Sequence, residues 1–346
     1  MKIIDVRSDT VTKPTPEMFA AMAKAEVGDD VFGEDPTVNR LQELAADCMG
    51  KEAGLFVASG TMGNLIATLA ACQRGDEVIM GDLGHTFLFE AGGISALGGV
   101  FPHTLQNQPD GTLRLTDIRA AIRSNDVHFP RSRMLILENT QNRCGGVVLS
   151  RDYTDQAAAL GHEHGLHVHM DGARIFNASA AAKIPARDLV CSVDSVTFCL
   201  SKGLCAPVGS VLCGSKAFID QARRVRKMLG GGMRQAGVLA AAGILAIEKM
   251  SLRLEEDHAR AKRLAEGLAT IPGVRFDIGM PQTNMVFPTL DESVRMGSRE
   301  FVQRLADKGI RIGVTGDRKF RLVMHYWIDN ADVDFILSSV RELLRA

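Results

Sequence analysis

Two short apolar runs, each followed directly by a residue with a reactive side chain, most constrain how this chain can fold. Residues 166–170 predict a buried strand that delivers Asp171 at its end. Residues 195–200 predict a second such strand, which delivers Ser201 and Lys202. In open α/β sheets, ligands bind in the crevice at the carboxyl ends of the strands. The sequence therefore predicts an α/β fold in which this carboxylate and this amine face one site.

An acid and a lysine placed in this way match the needs of pyridoxal phosphate (PLP). A lysine forms a Schiff base with a carbonyl, and an aspartate can hold the pyridine nitrogen protonated. A strand-end acid and a surface lysine are also common without any cofactor. Here, however, Lys202 lies between apolar residues, where an ammonium group without a partner is costly. Arg174 stands three residues after Asp171, so a cation can accompany the acid.

Two further segments suggest how a phosphate and a flat ring could be held. Residues 59–64 read S-G-T-M-G-N and open a helix after a predicted strand at 53–58. Small residues at such a turn let backbone N–H groups approach an anion, although the segment could be an ordinary capped helix start. It is neither a nucleotide P-loop nor a G-x-G-x-x-G motif. His85 lies in a Gly-rich connection and could stack on a cofactor ring or be an ordinary loop histidine.

Four closely spaced histidines raise the alternative of a metal site. His167, His169 and Asp171 alternate onto one face of a strand. His162 and His164 belong to the end of the preceding helix, and the spacing supplies no convincing fourth ligand. We therefore predict no metal, and we expect His169 to be a core histidine beneath the cofactor site.

The length and composition predict a large domain joined to a smaller one. The chain has 346 residues, of which 46% are hydrophobic. Its net charge of −1 argues against a nucleic-acid partner. The 7 scattered cysteines contain no C-x-x-C pair, and we find neither a signal peptide nor a membrane span, so we expect a cytoplasmic protein. From residue 252 short strands and helices alternate, which predicts a large domain over 1–250 and a small C-terminal α+β domain over 251–346.

Motifs spread along nearly the whole chain resemble those of the low-specificity L-threonine aldolases. They are R-S-D-T-V-T at 7–12, V-G-D-D-V-F-G-E-D-P-T at 27–37, S-G-T-M-G-N at 59–64, H-T-F-L-F-E-A-G-G at 85–93, D-V-H-F at 126–129, D-G-A-R-I-F-N-A at 171–178, L-S-K-G-L at 200–204, G-G-G-M-R-Q at 230–235 and F-R-L-V-M-H at 320–325. The resemblance implies a PLP enzyme of fold type I (aspartate aminotransferase-like). Such an enzyme has a large domain with a mainly parallel sheet, and it assembles as a homotetramer of paired dimers with shared active sites.

The resemblance also implies how the cofactor is held. Lys202 would bind PLP covalently, Asp171 would pair with the pyridine nitrogen, and His85 would stack on the ring. The phosphate would be bound by Gly60 and Thr61, with Arg234 reaching it from a neighbouring subunit. Arg174 would stand next to the cofactor as well as the substrate.

The implied substrates are L-threonine, L-allo-threonine and related L-3-hydroxy-2-amino acids, cleaved between Cα and Cβ in retro-aldol fashion to glycine and an aldehyde. Ser8, Arg174 and Arg321 would hold the substrate's carboxylate, and His128 would approach its β-hydroxyl. The base that takes the hydroxyl proton could be His85, His128 or an ordered water.

One departure and two rival functions complete the sequence-based picture. The family usually reads E-N-T-H where residues 138–141 of this chain read E-N-T-Q, so Gln141 puts side-chain specificity in doubt but not the cofactor site. A β-eliminating PLP lyase of the same fold would release pyruvate and ammonia instead of glycine and an aldehyde. A non-catalytic PLP-binding protein is expected to have lost its lysine, and Lys202 is present.

Overall fold

The computed structural model describes residues 2–345, in which helices and strands alternate as the sequence predicts. The strands are β1 (Ile4–Asp5), β2 (Ala53–Val57), β3 (Asp76–Gly81), β4 (Phe101–Leu105), β5 (Arg131–Glu138), β6 (His167–Asp171), β7 (Ser195–Cys199), β8 (Ser210–Gly214), β9 (Val274–Arg275), β10 (Met285–Val286), β11 (Thr289–Leu290), β12 (Ile310–Arg311), β13 (Gly313–Gly316) and β14 (Lys319–Val323). The α-helices are α1 (Pro16–Ala23), α2 (Pro36–Met49), α3 (Gly60–Ala71), α4 (His85–Leu88), α5 (Gly93–Ala96), α6 (Leu115–Ala121), α7 (Arg151–Glu163), α8 (Ile175–Ala182), α9 (Ala186–Leu189), α10 (Lys216–Met228), α11 (Gly237–Glu248), α12 (Leu254–Ala269), α13 (Ser298–Asp307) and α14 (Asn330–Arg345).

A mainly parallel sheet forms the centre of the larger unit. Its strand order within the described chain is β2-β8-β7-β6-β5-β3-β4. β8 runs antiparallel to both of its neighbours, whereas β3 to β7 pair in parallel. Glu138 pairs with Asp171, and Asp171 pairs with Thr197, so the carboxyl ends of β5, β6 and β7 lie side by side.

Helices cover both faces of this sheet, which explains why its strands are apolar throughout. In β5, Leu135 and Leu137 belong to one hydrophobic cluster, whereas Met134 and Ile136 belong to a cluster on the other face. Successive side chains of a strand point to opposite faces, so both faces must be apolar when both are covered. Polar side chains instead follow the strands at their carboxyl ends, as Glu138 and Asp171 do in β5 and β6.

Side-chain caps fix where several of these helices begin. Asp35 accepts from the backbone N–H of Val38 and precedes Pro36 at the first helical position of α2, and Gly50 ends that helix with a φ of 61°. Ser59 caps α3 by accepting from the N–H of Met62. These caps set the chain's direction as it enters and leaves the sheet.

The C-terminal unit has its own small antiparallel sheet, with β14 between β10 and β11, and its own hydrophobic cluster. The sequence predicts that the large domain begins with the first residues of the chain, but the structure pairs these residues with the C-terminal unit. β1 pairs in parallel with β12, and Ile4 and Val6 are buried in the C-terminal cluster. These apolar side chains and the backbone pairing attach the start of the chain to the smaller unit. The boundary near residue 250 stays a prediction.

Across residues 2–345, no helix has the length and apolar character that crossing a membrane requires. All 7 cysteines, which lie in this range, are free thiols, as the scattered spacing predicts.

Candidate active site

A cavity of about 380 Å³ opens at the carboxyl ends of β5, β6 and β7. It brings together five residues that the sequence singled out, although they are far apart along the chain: Ser8, His85, Arg174, Lys202 and Arg321. The sequence did not single out Phe89, Asn142 and Arg143, which also line the cavity. Asp171 is not among the residues that line this cavity, but its carboxylate lies within 4.8 Å of a ring nitrogen of His85, which does line it.

Asp171 is the last residue of β6, and its side chain is buried without a cation. Its Oδ1 accepts from the backbone N–H of Ala173 at 3.1 Å, and its Oδ2 accepts from Nδ2 of Asn64 at 2.9 Å. No Lys, Arg or His of residues 2–345 forms a salt bridge with it. A buried carboxylate without a cationic partner is costly, so this group suits a ligand that brings a positively charged N–H.

Lys202 lies in the turn after β7, and its side chain lines the cavity. Its backbone carbonyl accepts from Oγ1 of Thr12 at 2.8 Å and from the N–H of Cys205 at 2.9 Å, which fixes the turn. Its amine has no salt-bridge partner in the described part of the chain. The lysine is therefore held at its backbone and left free at its reactive end.

The N-terminus of α3 offers unpaired backbone N–H groups next to β7. The hydroxyl of Ser59 accepts from the N–H of Met62, and its carbonyl accepts from the N–H of Gly63. The N–H groups of Gly60 and Thr61 have no partner within residues 2–345, as is usual for the first residues of a helix. A Cβ at Gly60 would lie 2.9 Å from Sγ of Cys199, so this close approach requires glycine. An anion such as a phosphate fits this terminus.

His85 begins α4, and its imidazole is oriented by a carboxylate that the sequence did not reveal. Nδ1 lies 2.9 Å from Oε1 of Glu90, which is buried. The hydrogen bond to Glu90 raises the pKa of His85 above its usual value, against burial, which lowers it. Burial acts on the acid in the opposite direction and raises the pKa of Glu90, and the hydrogen bond to His85 offsets this increase only in part. Both directions are consistent with a pair that shares one proton.

Asn64 joins this pair to Asp171. Its Nδ2 donates to Oε1 of Glu90 and to Oδ2 of Asp171, each at 2.9 Å. Ligand atoms of His85, Glu90 and Asp171 lie within 4.8 Å of one another, a spacing that a metal ion could use. The amide hydrogens of Asn64 already fill the space between the two carboxylates, so hydrogen bonding accounts for this grouping. The prediction that no metal binds stays a prediction.

Glu138, at the end of β5, is a second carboxylate that the sequence did not assign. Burial raises its pKa to about 7, and the neighbouring charge of Asp171 adds to the effect. Its Oε2 accepts from the backbone N–H of His85 at 2.7 Å, and its Oε1 accepts from that of Asn142 at 2.8 Å. It therefore ties together two of the loops that line the cavity.

Of the three arginines that line the cavity, Arg174 and Arg321 differ in how their donors are used. Arg174 forms a bidentate pair with Asp9, at 2.7 Å from Nε and 2.6 Å from Nη2. Burial alone would raise the pKa of Asp9, but the Arg174 guanidinium outweighs it and holds that pKa well below its usual value. Arg321 donates to Oδ1 of Asn142 at 3.1 Å and to the carbonyl of Arg7 at 3.2 Å. Its Nε is buried without a partner, and each of its two amino groups has a second hydrogen that these contacts do not use.

Five predicted site residues are not among those that line the cavity: Gly60, Thr61 and Asp171, described above, and His128 and Arg234. The His128 side chain is 82% exposed and pairs with Asp126. It precedes β5, and this strand of 8 residues, about 26 Å long at about 3.3 Å per residue, lies between His128 and the cavity. Arg234 is also exposed and donates to Asp29 at 2.9 Å. Both roles stay predictions that need a neighbouring subunit.

Three histidines of the run and Gln141 have hydrogen-bond partners within the protein, whereas His164 is exposed. His162 pairs with Asp194, and His167 lies 2.7 Å from Oγ of Ser195. Burial lowers the pKa of His169 to about 3, so it is the neutral core histidine that the sequence predicts. Gln141 is buried. Its Nε2 donates to the carbonyl of Leu83 at 3.0 Å, and its Oε1 accepts from the N–H of Cys144 at 2.7 Å.

Comparisons with known proteins agree with this picture. A profile of the beta-eliminating lyase family matches residues 5–293. A probable low-specificity L-threonine aldolase 2 of Arabidopsis thaliana is 47% identical over 100% of this chain and 98% of its own. A low specificity L-threonine aldolase of Escherichia coli (strain K12) is 45% identical over 93% of this chain and 94% of its own.

Solved structures agree on the fold. A threonine aldolase of Leishmania major superposes with a TM-score of 0.82 at 22% identity, covering 99% of both chains. A serine palmitoyltransferase of Sphingomonas wittichii superposes with a TM-score of 0.80 at 16% identity, covering 99% of this chain and 87% of its own. The predicted fold, fold type I with a mainly parallel sheet, is therefore confirmed.

Proposed function

The chain belongs to the beta-eliminating lyase family, and from that premise we propose that it is a PLP-dependent aldolase, a carbon-carbon lyase that acts on L-threonine and L-allo-threonine. It cleaves the Cα–Cβ bond in retro-aldol fashion to glycine and an aldehyde, and related L-3-hydroxy-2-amino acids are further substrates. One observation carries this proposal. Lys202, whose amine has no salt-bridge partner within residues 2–345, lines one cavity with Arg321 and His85, and the buried Asp171, which ends the strand next to β7, lies within 4.8 Å of His85. The relatives named L-threonine aldolases support the same reaction.

PLP fits the groups that this site leaves without partners. Lys202 would hold the cofactor's aldehyde carbon, and Asp171 would hold its pyridine N–H. The backbone N–H groups of Gly60 and Thr61 would donate to its phosphate. When bound, PLP supplies an electron sink for the electron pair released as the Cα–Cβ bond breaks. His85 is the histidine available to cover the ring within one chain.

The substrate's carboxylate and hydroxyl need separate partners in the cavity. Arg321 would bind the carboxylate through the unused hydrogens of its amino groups, helped by Ser8 and by the remaining amino group of Arg174. This contact orients the amino acid, because a carboxylate held by a planar guanidinium has a fixed direction. The hydroxyl proton needs an acceptor, for which His85, His128 from a neighbour or an ordered water are available.

Product analysis with four substrates tests the reaction. The purified protein is incubated with PLP and the L- and D-forms of threonine and allo-threonine, and glycine, acetaldehyde, pyruvate and ammonia are measured. We expect equimolar glycine and acetaldehyde from both L-forms and none from the D-forms, with Lys202→Ala as the inactive control. Pyruvate and ammonia in their place would replace the proposal with β-elimination.

We also propose a cytoplasmic homotetramer, a dimer of dimers with shared active sites and with neither a nucleic acid nor a membrane as partner. The exposed side chains of His128 and Arg234 support the sharing, because the one salt bridge that each forms within residues 2–345 leaves it open to a neighbouring subunit. In a dimer, both could face the cavity of the partner.

A further inference from the structure

The amide of Asn64 has only one orientation that satisfies its neighbours. On one side it faces two carboxylate oxygens, of Glu90 and Asp171, each 2.9 Å from Nδ2. A carboxylate oxygen accepts, so the NH₂ group must point at them. Oδ1 must then accept, and its neighbour, Nε2 of His169 at 3.2 Å, must carry a hydrogen. The protonation of one core imidazole thus follows from the two acids.

The same logic fixes the next links into the core. His169 is neutral, because burial lowers its pKa to about 3, so its Nδ1 can only accept. Oγ of Ser195, 2.8 Å away, therefore donates to it. That hydroxyl in turn accepts from Nε2 of His167 at 2.7 Å. In this series of hydrogen bonds, from Asn64 to His167, every donor faces an acceptor.

On the cavity side of Asn64, the same series of hydrogen bonds determines which nitrogen of His85 carries a hydrogen. Oε1 of Glu90 accepts from Asn64, and it also lies 2.9 Å from Nδ1 of His85. An ionised carboxylate next to Nδ1 places the ring hydrogen on that nitrogen. Nε2 has no hydrogen-bond partner among residues 2–345, and the ring lines the cavity. The free nitrogen of His85 is therefore the one without a hydrogen.

We propose that Glu90, held in place by Asn64, is a positioning residue that fixes the Nδ1–H form of His85 and presents Nε2 to the cavity as a proton acceptor. The proposal rests on the proposed function and deepens it by assigning a role to His85. When the substrate's O–H bond breaks, its proton forms an N–H bond at Nε2, and the resulting imidazolium remains paired with Glu90.

The charges around His85 favour this role. Glu90 and Asp171 are acids that stabilise the imidazolium, and Lys202 opposes it. Glu138 contacts the backbone N–H of His85 and leaves the ring to Glu90. The carboxylate bonded to the ring has the largest effect, and it raises the pKa of His85. A more basic imidazole is a better acceptor for a hydroxyl proton.

Glu90→Gln separates charge from geometry. A glutamine keeps an acceptor oxygen for both His85 and Asn64, and its NH₂ group replaces Oε2, which has no partner in its buried position. Flipping the glutamine would place its NH₂ group against that of Asn64, so the kept orientation is favoured. Glu90→Leu removes charge and acceptor together.

Histidine side-chain NMR on the full chain, labelled with ¹⁵N-histidine and recorded with and without PLP, reads the ring directly and does not depend on turnover. We expect His85 in the Nδ1–H form in the wild type and in Glu90→Gln, with its pKa lower by about 1 pH unit in the variant, because an opposite charge next to a group shifts its pKa by about 1–3. Glu90→Leu should lose the Nδ1–H preference. The exposed ring of His128 is the internal control and should titrate unchanged in both variants.

The pH profile of turnover connects the tautomer to the reaction. The acidic limb of kcat should move down by about 1 pH unit in Glu90→Gln, with KM changed less than kcat. Glu90→Leu should lower kcat by about 10²-fold or more. If it does not fold, the glutamine variant decides alone. An Nε2–H form of His85 in the wild type, or an unchanged His85 pKa in Glu90→Gln, would overturn the proposal even if the protein is an active aldolase.

Discussion

Asp171 and Glu138 are paired residues on the adjacent strands β6 and β5. Neither forms a salt bridge with a Lys, Arg or His within residues 2–345. In Asp171→Asn, the one amide oxygen can accept from Asn64 or from the N–H of Ala173 but not from both, and the amide cannot hold a pyridinium proton. We expect turnover to fall by about 10²-fold or more, while the melting temperature of the cofactor-free protein changes much less, because removal of a buried unpaired charge offsets the donor that now faces the NH₂ group. Circular dichroism and steady-state kinetics measure both. Turnover close to that of the wild type would mean that another group protonates the ring.

Glu138 makes the stability of the cofactor-free protein depend on pH. Its folded-state pKa of about 7 lies above the ordinary 4.5, so its stabilising protonated form is fully present below pH 4.5 and is lost as the pH rises through about 7. The shift corresponds to about 3 kcal/mol of unfolding free energy at most. Urea unfolding between pH 4.5 and 8 should show this decline in the wild type. Glu138→Gln should lack it, and Asp171→Asn should move it to lower pH.

At the scale of elements, boundaries could be predicted where caps and long periodic runs mark them. Asp35-Pro36 and Gly50 predict a helix over 36–49, which agrees with α2. No such signal marks helix α8, since its first residue follows Arg174, which gives no side-chain cap. None marks strand β4 either, because it lies at the sheet edge, contains Pro102 and is only partly buried. Such elements depend on tertiary neighbours that no local pattern encodes.

The start of α3 lies so close to β7 that a side chain at Gly60 should weaken cofactor binding. In Gly60→Ala, the new Cβ would lie 2.9 Å from Sγ of Cys199, so the helix start must move away from β7. We expect PLP affinity to fall by about tenfold, or about 1.4 kcal/mol, as measured by absorbance titration. Adding Cys199→Ala removes the clash and should restore most of the affinity. Gly297→Ala, at a position with open space around its Cβ, is the matched control. Failure of the double variant to recover would point away from this contact.

At the scale of the whole molecule, the sequence could predict which residues meet but not how they are joined. Asp171 and Lys202 follow apolar strands, so their convergence follows from sheet topology. Glu138 could have been found from the same pattern, as it also ends a buried strand. The partnership of Glu90, Asn64 and His85 could not, because it depends on how a Gly-rich connection folds back onto α3. Side chains from three separate elements meet there, and only the folded chain sets their distances.

Mixing inactive variants tests whether neighbouring subunits share their active sites. If Arg234 serves the site of a neighbour, Lys202→Ala and Arg234→Ala are each inactive, but a hybrid pair contains one site with both residues intact. Random exchange of equal amounts should therefore recover about a quarter of wild-type activity, as expected for a two-fold interface. Lys202→Ala mixed with Arg321→Ala should recover none, because both residues line the cavity of the same chain. Light scattering run in parallel reports the oligomer. A fully active monomer, or equal recovery in both mixtures, would contradict the shared site.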